Sequence, residues 1–294
     1  MRLGVVILPE HRWSVARDLW QRAEQMGFEH AWTYDHLTWR SFRDSPWFAG
    51  VPMLTAAAIA TSRLRIGLLV ASPNFRHPVP FAKEMMTLDD ISAGRLIVGI
   101  GAGGEGWDAT MLGQQPWNAR ERADRFVEFV EITDRLLREP AASYEGRYYS
   151  AVEARTHPGC VQSPRPPMAI AATRPRGMRL AARHGDIWVT TGQRRADARL
   201  DAKTGAAVVR EQIDCLAQAC AAERRDFSTL RRLVLSGPLL DPGLRSPAEF
   251  QETTQQYAAA GVTDFVVHWP RPGKPYAANP DVFESIFRDS SPRS

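Results

Sequence analysis

The chain has 294 residues, of which 44% are hydrophobic and 24% charged, and a net charge of +4 at pH 7. This small, unclustered charge argues against a nucleic-acid partner, and no apolar run approaches the roughly 20 residues of a membrane-spanning helix. The three cysteines, Cys160, Cys215 and Cys220, have neither metal-ligand nor disulfide spacing. Because the N-terminus has no signal-peptide pattern, the sequence predicts a cytoplasmic protein.

Short apolar runs alternate with helical segments along the chain, which is the pattern of parallel strand–helix–strand units. The predicted strands are Leu3–Leu8, His30–Tyr34, Ile66–Ala71, Leu96–Ile100, Met168–Ala172, Ile187–Thr191, Leu233–Ser236 and Val262–His268. The predicted helices are Arg12–Met26, Met53–Ser62, Val79–Ile91, Arg120–Arg138, Arg176–His184, Thr204–Glu223, Pro247–Ala260 and Pro280–Phe287.

Eight strands alternating with helices predict an α/β fold of the (β/α)8 TIM-barrel type, as one domain over residues 1–294. The alternative, an open doubly wound sheet, requires a Gly-x-Gly-x-x-Gly turn after the first strand. Pro9-Glu10-His11 stands there instead. Residues 139–167 interrupt the alternation and are predicted to form an insertion without its own core, with a hairpin turn at Tyr144–Tyr149 and pairing near Val161.

In a barrel the carboxyl ends of all strands meet at one face, so residues that are distant in sequence converge there. Asp35 and His36 follow the second strand and form a candidate acid–base pair in which the two side chains orient one another. A lone loop histidine is more often inert, but its position after a strand favours catalysis or ligand contact. No set of two histidines and a carboxylate has metal-ligand spacing.

Two further segments at strand ends predict ligand contacts. Thr173–Gly177 joins a strand to a helix, so free backbone N–H groups and two arginines favour an anion site over a merely capped helix. Glycine is dense between Gly99 and Gly106, which favours close approach of a flat ligand over a simple tight turn.

Tryptophans in predicted loops are poorly explained by core packing. Four of them are candidate substrate contacts, because they would lie at the loop face of the barrel: Trp39, Trp47, Trp107 and Trp269. They favour a flat or apolar substrate, over which the loops would exclude water.

With these residues in view, the chain resembles the bacterial luciferase-like monooxygenase superfamily, and within it the branch that uses the deazaflavin coenzyme F420. The resemblance covers nearly the whole chain. It rests on Tyr34-Asp-His-Leu37, on Ala71-Ser-Pro-Asn-Phe-Arg-His-Pro78, and on Leu88-Asp-Asp-Ile-Ser-Ala-Gly-Arg-Leu96 running into Gly99-Ile-Gly-Ala-Gly103. Ala171-Ala-Thr173 and Thr190-Thr-Gly192 add to it.

The resemblance implies a barrel with a flavin or deazaflavin across its C-terminal face, against a strand bulge that holds a non-proline cis peptide bond. Here the bulge is expected at Leu69–Val70, within one residue. The implied cofactor neighbours are Asp35, Leu69, Val70, Ala71, Ala102, Gly103, Thr173, Gly177, Thr191 and Gly192. Arg174, Arg176 and Arg194 are implied candidates for phosphate or tail carboxylates.

A sugar-phosphate dehydrogenase subgroup of this superfamily uses the histidine matching His36 as its base, with a tryptophan shortly after it. Trp39 stands one residue early for that role. The subgroup also has a glutamate directly after Gly-x-Gly, whereas here Gly104 intervenes before the candidate acid Glu105. Arg174 stands where close relatives tend to have glycine. We therefore do not carry over the sugar-phosphate activity.

The leading hypothesis is an F420-dependent oxidoreductase that passes hydride from C5 of the reduced deazaflavin to a C=C, C=N or carbonyl group, with His36 exchanging the proton. The alternative is an FMN-dependent monooxygenase in which reduced flavin reacts with O2. A third possibility, from another class, is a non-catalytic subunit with the same fold. Relatives of this kind are commonly dimers, so a homodimer acting on a small molecule is expected.

Overall fold

The computed structural model describes residues 1–39, 42–104, 107–192 and 199–288. Its strands are β1 (Arg2–Val6), β2 (His30–Thr33), β3 (Arg65–Leu68), β4 (Leu96–Gly101), β5 (Ala141–Glu145), β6 (Ser150–Arg155), β7 (Met168–Ala171), β8 (Ile187–Thr190), β9 (Arg231–Leu235) and β10 (Asp264–His268). Eight of them form a closed parallel barrel in the order β1-β10-β9-β8-β7-β4-β3-β2. The (β/α)8 prediction is confirmed.

Helices surround the barrel, and several begin where the sequence provides a cap. They are α1 (Trp13–Gln25), α2 (Gly50–Ala60), α3 (Pro78–Ile91), α4 (Trp107–Met111), α5 (Ala119–Arg138), α6 (Pro175–His184), α7 (Ala202–Ala222), α8 (Pro247–Ala259) and α9 (Pro280–Arg288). The side chains of Asn118, Asp201 and Ser246 accept N–H bonds at the starts of α5, α7 and α8. Helix α2 begins three residues before its predicted start, because the first turn of a helix tolerates Pro52.

Side chains on the barrel strands alternate between two apolar layers. Trp32, Ile97 and Val266 belong to the cluster inside the barrel. Phe265 and Val267, on either side of Val266, pack in the outer layer between the barrel and the helices. Within the ranges described above, no helix combines the length and the apolar character needed to cross a bilayer.

The insertion at 139–167 contains an antiparallel hairpin made of β5 and β6. The connection between these strands falls within the turn predicted at Tyr144–Tyr149. The Glu128 carboxylate on α5 accepts hydrogen bonds from the backbone amides of Arg147, Tyr148 and Tyr149. These bonds attach the turn to the layer of helices around the barrel. The predicted pairing at Val161 is wrong, since this residue lies in a bend and is exposed. No strand forms there because the prolines that follow interrupt a ladder.

A buried ionic network closes the N-terminal end of the barrel. Asp264 accepts hydrogen bonds from His30 Nε2 at 3.1 Å, from Arg2 Nε at 3.0 Å and from Arg231. Trp32 Nε1 donates to His30 Nδ1 at 2.8 Å, so His30 carries its proton on Nε2 and points it at the carboxylate. Burial raises the pKa of Asp264, but hydrogen bonds from His30 and Arg231 outweigh it and hold that pKa well below its ordinary value.

Candidate active site

The C-terminal rim, the face where the barrel strands end, contains the cis peptide bond between Leu69 and Val70. Its expected position is confirmed. The bulge directly follows β3, where Leu69 N donates to Thr33 O of β2 at 2.9 Å. Beyond it, Ala71 pairs with Ile100 of β4 and returns the chain to the sheet.

Glycines on β4 are required beside this bulge. A Cβ at Gly101 would lie 2.5 Å from Val70 Cγ2, and one at Gly99 would overlap the Leu68 carbonyl oxygen. The Gly-x-Gly run therefore makes room first for the neighbouring strand. Its ligand interpretation remains a proposal that rests on the residues beyond Gly101.

The turn after β4 is fixed by Asn74. Gly103 has φ +70°, and a Cβ there would lie 2.6 Å from the Asn74 amide. Asn74 Nδ2 donates to Gly104 O at 3.1 Å. Ser72, on the same loop as Asn74, is buried, and its Oγ has no hydrogen-bond partner in the part of the chain that is described. The candidate acid Glu105 lies outside the described residues.

Helix α6 presents an N-terminus without a side-chain cap at the rim, with Pro175 in its first turn. Thr173 and Arg174 precede it and are exposed. Gly177 lets the helix approach β7, because a Cβ there would lie 2.8 Å from Ala172 Cβ. The backbone N–H groups of the first turn therefore remain available to an anion.

Arg176, in the first turn of this helix, is paired with a carboxylate of another helix. Its guanidinium forms an ion pair with Asp124 on α5, and this pairing lowers the pKa of that carboxyl. Its predicted role as a free cation for a phosphate is therefore corrected. Arg174 keeps that prediction, and Arg194 lies outside the described residues.

The turn after β8 is held by its own residues. Thr190 Oγ1 donates to Gln212 Oε1 at 2.7 Å and accepts from Gly192 N at 3.1 Å. Gly192 has φ +86° and lies against Leu240, whereas Thr191 is only partly buried. This geometry leaves Thr191 at the rim, as the cofactor prediction requires.

The predicted pairing of Asp35 with His36 is wrong. Both oxygens of Asp35 accept hydrogen bonds from the Arg76 guanidinium, one of them at 2.8 Å, and Arg76 also binds Glu84. Consecutive residues at the end of β2 point to opposite sides of the barrel wall. Asp35 therefore anchors the loop after β3, behind the rim.

His36 is paired instead with Asp108, the second residue of α4. Its Nδ1 lies 2.8 Å from Asp108 Oδ2, and Asp108 Oδ1 accepts from Leu37 N at 2.8 Å. The His36 side chain is 26% exposed, whereas that of Asp108 is 2% exposed. Sequence reasoning placed Asp108 in a loop and missed this partner, because five helical residues are too few to show a periodicity.

An aromatic wall stands beside His36. Trp39 stacks with Trp47, Phe42 and Tyr276 at centroid distances of 6.0, 5.6 and 6.1 Å. Trp47 Nε1 donates to the His36 carbonyl oxygen at 3.0 Å. Two of the four predicted substrate tryptophans are thus brought together next to the candidate catalytic histidine.

The other two tryptophans have different surroundings. Trp107 is partly exposed, with the Arg43 guanidinium 4.0 Å from its ring centre. Trp269 packs against Phe283 of α9 in the outer layer, so its predicted substrate contact is wrong. The alternation along β10 explains this, since His268 faces inward and the next residue must face outward.

His268 occupies the place at the rim that was predicted for Trp269. Its Nε2 lies 2.8 Å from the Tyr34 hydroxyl, and its ring stacks on Tyr276 at 3.5 Å. Burial lowers the pKa of His268 to about 3, so the ring is neutral at pH 7. It borders a cavity of about 360 Å³ between the loops that follow β8, β9 and β10, which the adjacent Gly237 also lines.

Comparison with known proteins identifies the family. The sequence profile of the luciferase-like monooxygenase family matches residues 1–261. The chain belongs to this family. As a luciferase-like protein, it has the bulge after β3 that the resemblance implied.

Two curated relatives are similar in sequence to this luciferase-like chain. It is 31% identical over 183 residues to the F420-dependent hydroxymycolic acid dehydrogenase of Mycobacterium tuberculosis. This alignment covers 61% of the chain and 49% of the relative. It is 30% identical over 249 residues to the F420-dependent glucose-6-phosphate dehydrogenase of Beutenbergia cavernae, covering 82% and 68%. The luciferase-like chain thus spans about half the length of the first relative and about two thirds of the second.

A solved structure extends the likeness to almost the whole fold. The structure of an F420-dependent secondary alcohol dehydrogenase in complex with an F420-acetone adduct superposes with a TM-score of 0.79. The alignment covers 97% of the luciferase-like chain and 96% of the dehydrogenase at 20% identity. At this identity the likeness establishes the barrel fold and no activity.

Proposed function

We propose that the protein is an oxidoreductase that transfers hydride between coenzyme F420 and a small organic substrate, with His36 exchanging the proton. The observation that carries the proposal is His36 at the rim, paired with buried Asp108 beside an aromatic wall. Two curated relatives named as F420-dependent dehydrogenases support the choice of cofactor.

The rim residues fit a planar ring with an anionic tail. Gly101 contributes no side chain beside the bulge, and the buried Ser72 Oγ is left without a partner among the described residues. The uncapped N-terminus of α6, with Thr173 and Arg174 beside it, fits a phosphate. We therefore assign the planar ring of F420 to the part of the rim formed by Leu69–Ala71, Ala102 and Gly103. The anionic tail of F420 is assigned to the part formed by Thr173, Arg174, Gly177, Thr191 and Gly192.

Bound F420 would supply the hydride chemistry, and the protein's own residues orient the substrate and move the proton. In the described part of the chain His36 Nε2 has no hydrogen-bond partner, whereas Nδ1 is engaged by Asp108. Nε2 is therefore the ring atom that is free to give a proton to the substrate or to take one from it.

The wall of Trp39 and Trp47 favours a substrate with a flat or apolar body. Trp47 Nε1 donates to the His36 carbonyl oxygen, and Trp39 is linked to the His36 ring through Tyr34, which contacts Trp39 edge-on at 5.3 Å and His36 at 6.4 Å. Such rings offer apolar area and exclude water from the reacting atoms. We infer an enone, imine, ketone or secondary alcohol of this kind as the reacting group.

The alternative, an FMN-dependent monooxygenase, is favoured by the family's description as luciferase-like monooxygenases. The cofactor separates the two functions, because the monooxygenase reaction needs O2 and a flavin that reacts with it. Both proposals share the same rim and the same histidine.

The test is titration of the purified protein with F420 and, separately, with FMN, followed by fluorescence. We expect micromolar binding of F420 and none of FMN. Oxidation of reduced F420 is then followed with a panel of flat enones, imines and ketones, with and without O2. We expect consumption that requires the organic substrate and is unchanged by O2. Binding of FMN without binding of F420, or turnover that requires O2, would overturn the proposal.

A further inference from the structure

We propose that Asp108 is a positioning residue that fixes the tautomer of His36 and thereby makes Nε2 the proton-exchanging atom. This inference rests on the proposed function for the identity of the reaction. Its structural basis is separate, because the contact between Asp108 and His36 is made by the chain itself.

Asp108 uses its two oxygens for two different tasks. Oδ2 lies 2.8 Å from His36 Nδ1, and Oδ1 accepts the Leu37 amide at 2.8 Å. A carboxylate can only accept hydrogen bonds, so Nδ1 is the nitrogen that carries hydrogen in this contact. The side chain is 2% exposed, which keeps water from competing for either oxygen.

The pairing is held from both sides. Asp108 belongs to α4, whose first residue Trp107 lies under the Arg43 guanidinium at 4.0 Å. On the other side, Trp47 Nε1 donates to the carbonyl oxygen of His36. The His36 ring therefore has one supported orientation, with Nδ1 turned to α4 and Nε2 turned away from it.

This orientation defines the proton step in both directions. In reduction, the substrate carbon would accept the hydride that reduced F420 supplies, and the π pair would move to the neighbouring oxygen, nitrogen or carbon. That atom forms its new bond to hydrogen as the Nε2–H bond breaks. The electron pair of the broken bond stays on Nε2. In oxidation, the Nε2 lone pair takes the substrate proton as the carbon gives up a hydride, which bound oxidised F420 would accept. In both directions the carboxylate stabilises the ring while it is protonated.

Asp108→Asn separates the two tasks of Asp108. The asparagine oxygen can still accept the hydrogen bond from the Leu37 amide, but its NH2 group then faces His36 Nδ1. Because NH2 can only donate, Nδ1 must accept this hydrogen bond with its lone pair. The hydrogen of neutral His36 moves to Nε2, and the basic atom is lost from the substrate side. Asp108→Ala removes both tasks together.

The experiment compares the native protein, Asp108→Asn and Asp108→Ala. Nitrogen-15 NMR of labelled histidine, recorded without cofactor, reads the tautomer of His36, whose signals are assigned with His36→Asn. In Asp108→Asn we expect the protonated signal to move from Nδ1 to Nε2. We expect kcat for the F420-linked reaction to fall about 10- to 100-fold in both Asp108 variants, with F420 affinity within twofold of native.

Asp134→Asn is the matched control. Asp134 also accepts from a histidine, His184 Nδ1 at 3.3 Å, but on α5 and α6 near the opposite end of the barrel. It also binds Arg138 and Arg165, so the control is expected to lower the melting temperature and to leave kcat unchanged.

Two results would overturn the inference. One is an unchanged His36 tautomer in Asp108→Asn. The other is native kcat in Asp108→Asn together with a large loss in Asp108→Ala, since Asp108 would then serve only the Leu37 amide. A native protein that has the Nδ1–H tautomer but binds no F420 would support the pairing and overturn the proposed function instead.

Discussion

The two ends of the barrel differ in how the polar groups at their centres are paired. At the N-terminal end, the Asp264 carboxylate is saturated by His30, Arg2 and Arg231. At the C-terminal rim, Ser72 Oγ is buried without a partner in the described ranges, and His36 Nε2 has none there either. Because an unpaired buried polar group costs stability, the saturated network around Asp264 serves the fold, whereas the unsaturated groups of Ser72 and His36 are available to a ligand at the rim.

The largest expected effect comes from breaking the saturated end. Asp264→Ala leaves His30, Arg2 and Arg231 facing one another without the carboxylate that binds them. We expect the free energy of unfolding to fall by about 3–5 kcal/mol, because a buried charge network has lost its centre. Urea denaturation followed by circular dichroism measures this loss.

Asp124→Ala is the contrast for that measurement. It removes an exposed ion pair with Arg176, for which about 0–1 kcal/mol is expected. Equal losses in the two variants would contradict the view that the N-terminal end of the barrel is held by its ionic network.

Breaking the unsaturated end should affect activity and spare the fold. In His36→Asn we expect kcat to fall about 100- to 1000-fold, roughly 3–4 kcal/mol in the barrier, because the proton-exchanging group is gone. The urea midpoint and the F420 affinity should stay close to native. A variant that retains full turnover would remove His36 from the mechanism.

The smallest expected effect concerns His268 and pH. Its pKa is about 3 when folded and about 6.5 when unfolded, so between these values the unfolded chain binds more protons. Acid therefore destabilises the fold, by about 2 kcal/mol at pH 5 relative to pH 7.5. His30, whose pKa burial also lowers, acts in the same direction.

His268→Gln isolates the share of His268 and keeps a partner for the Tyr34 hydroxyl. The loss of unfolding free energy between pH 7.5 and pH 5 should shrink by about 2 kcal/mol, as measured from urea curves at both pH values. Parallel pH dependences in the native protein and the variant would contradict a neutral, buried His268.

Much of the fold could be predicted from the sequence, because each barrel strand is an apolar run and most are followed by an amphipathic or well-capped helix. The bulge at Leu69–Val70 was expected only through the family resemblance, since nothing in its residue types requires a cis bond. Two errors had a common cause. Asp35 and Trp269 each follow an inward-facing residue of a strand end, so the two-residue period turns them outward.

The partner of His36 could not be predicted, because 72 residues separate it from Asp108 and the contact depends on the path of a loop. Helix α4 has five residues, too few to show a period. Arg176 was misjudged for a related reason, since its partner Asp124 lies on another helix. Local pattern predicts elements well, whereas pairings between loops depend on tertiary packing.

The aromatic wall has a consequence for recognition. Trp39, Trp47 and Tyr276 take their stacking partners from the protein itself, so the conformational entropy of ordering these rings is lost when the chain folds. A ligand that binds beside them is spared that loss, which favours affinity through preorganisation. The same rigidity sets a limit on shape, because a surface that is already packed discriminates against bulky or strongly bent molecules.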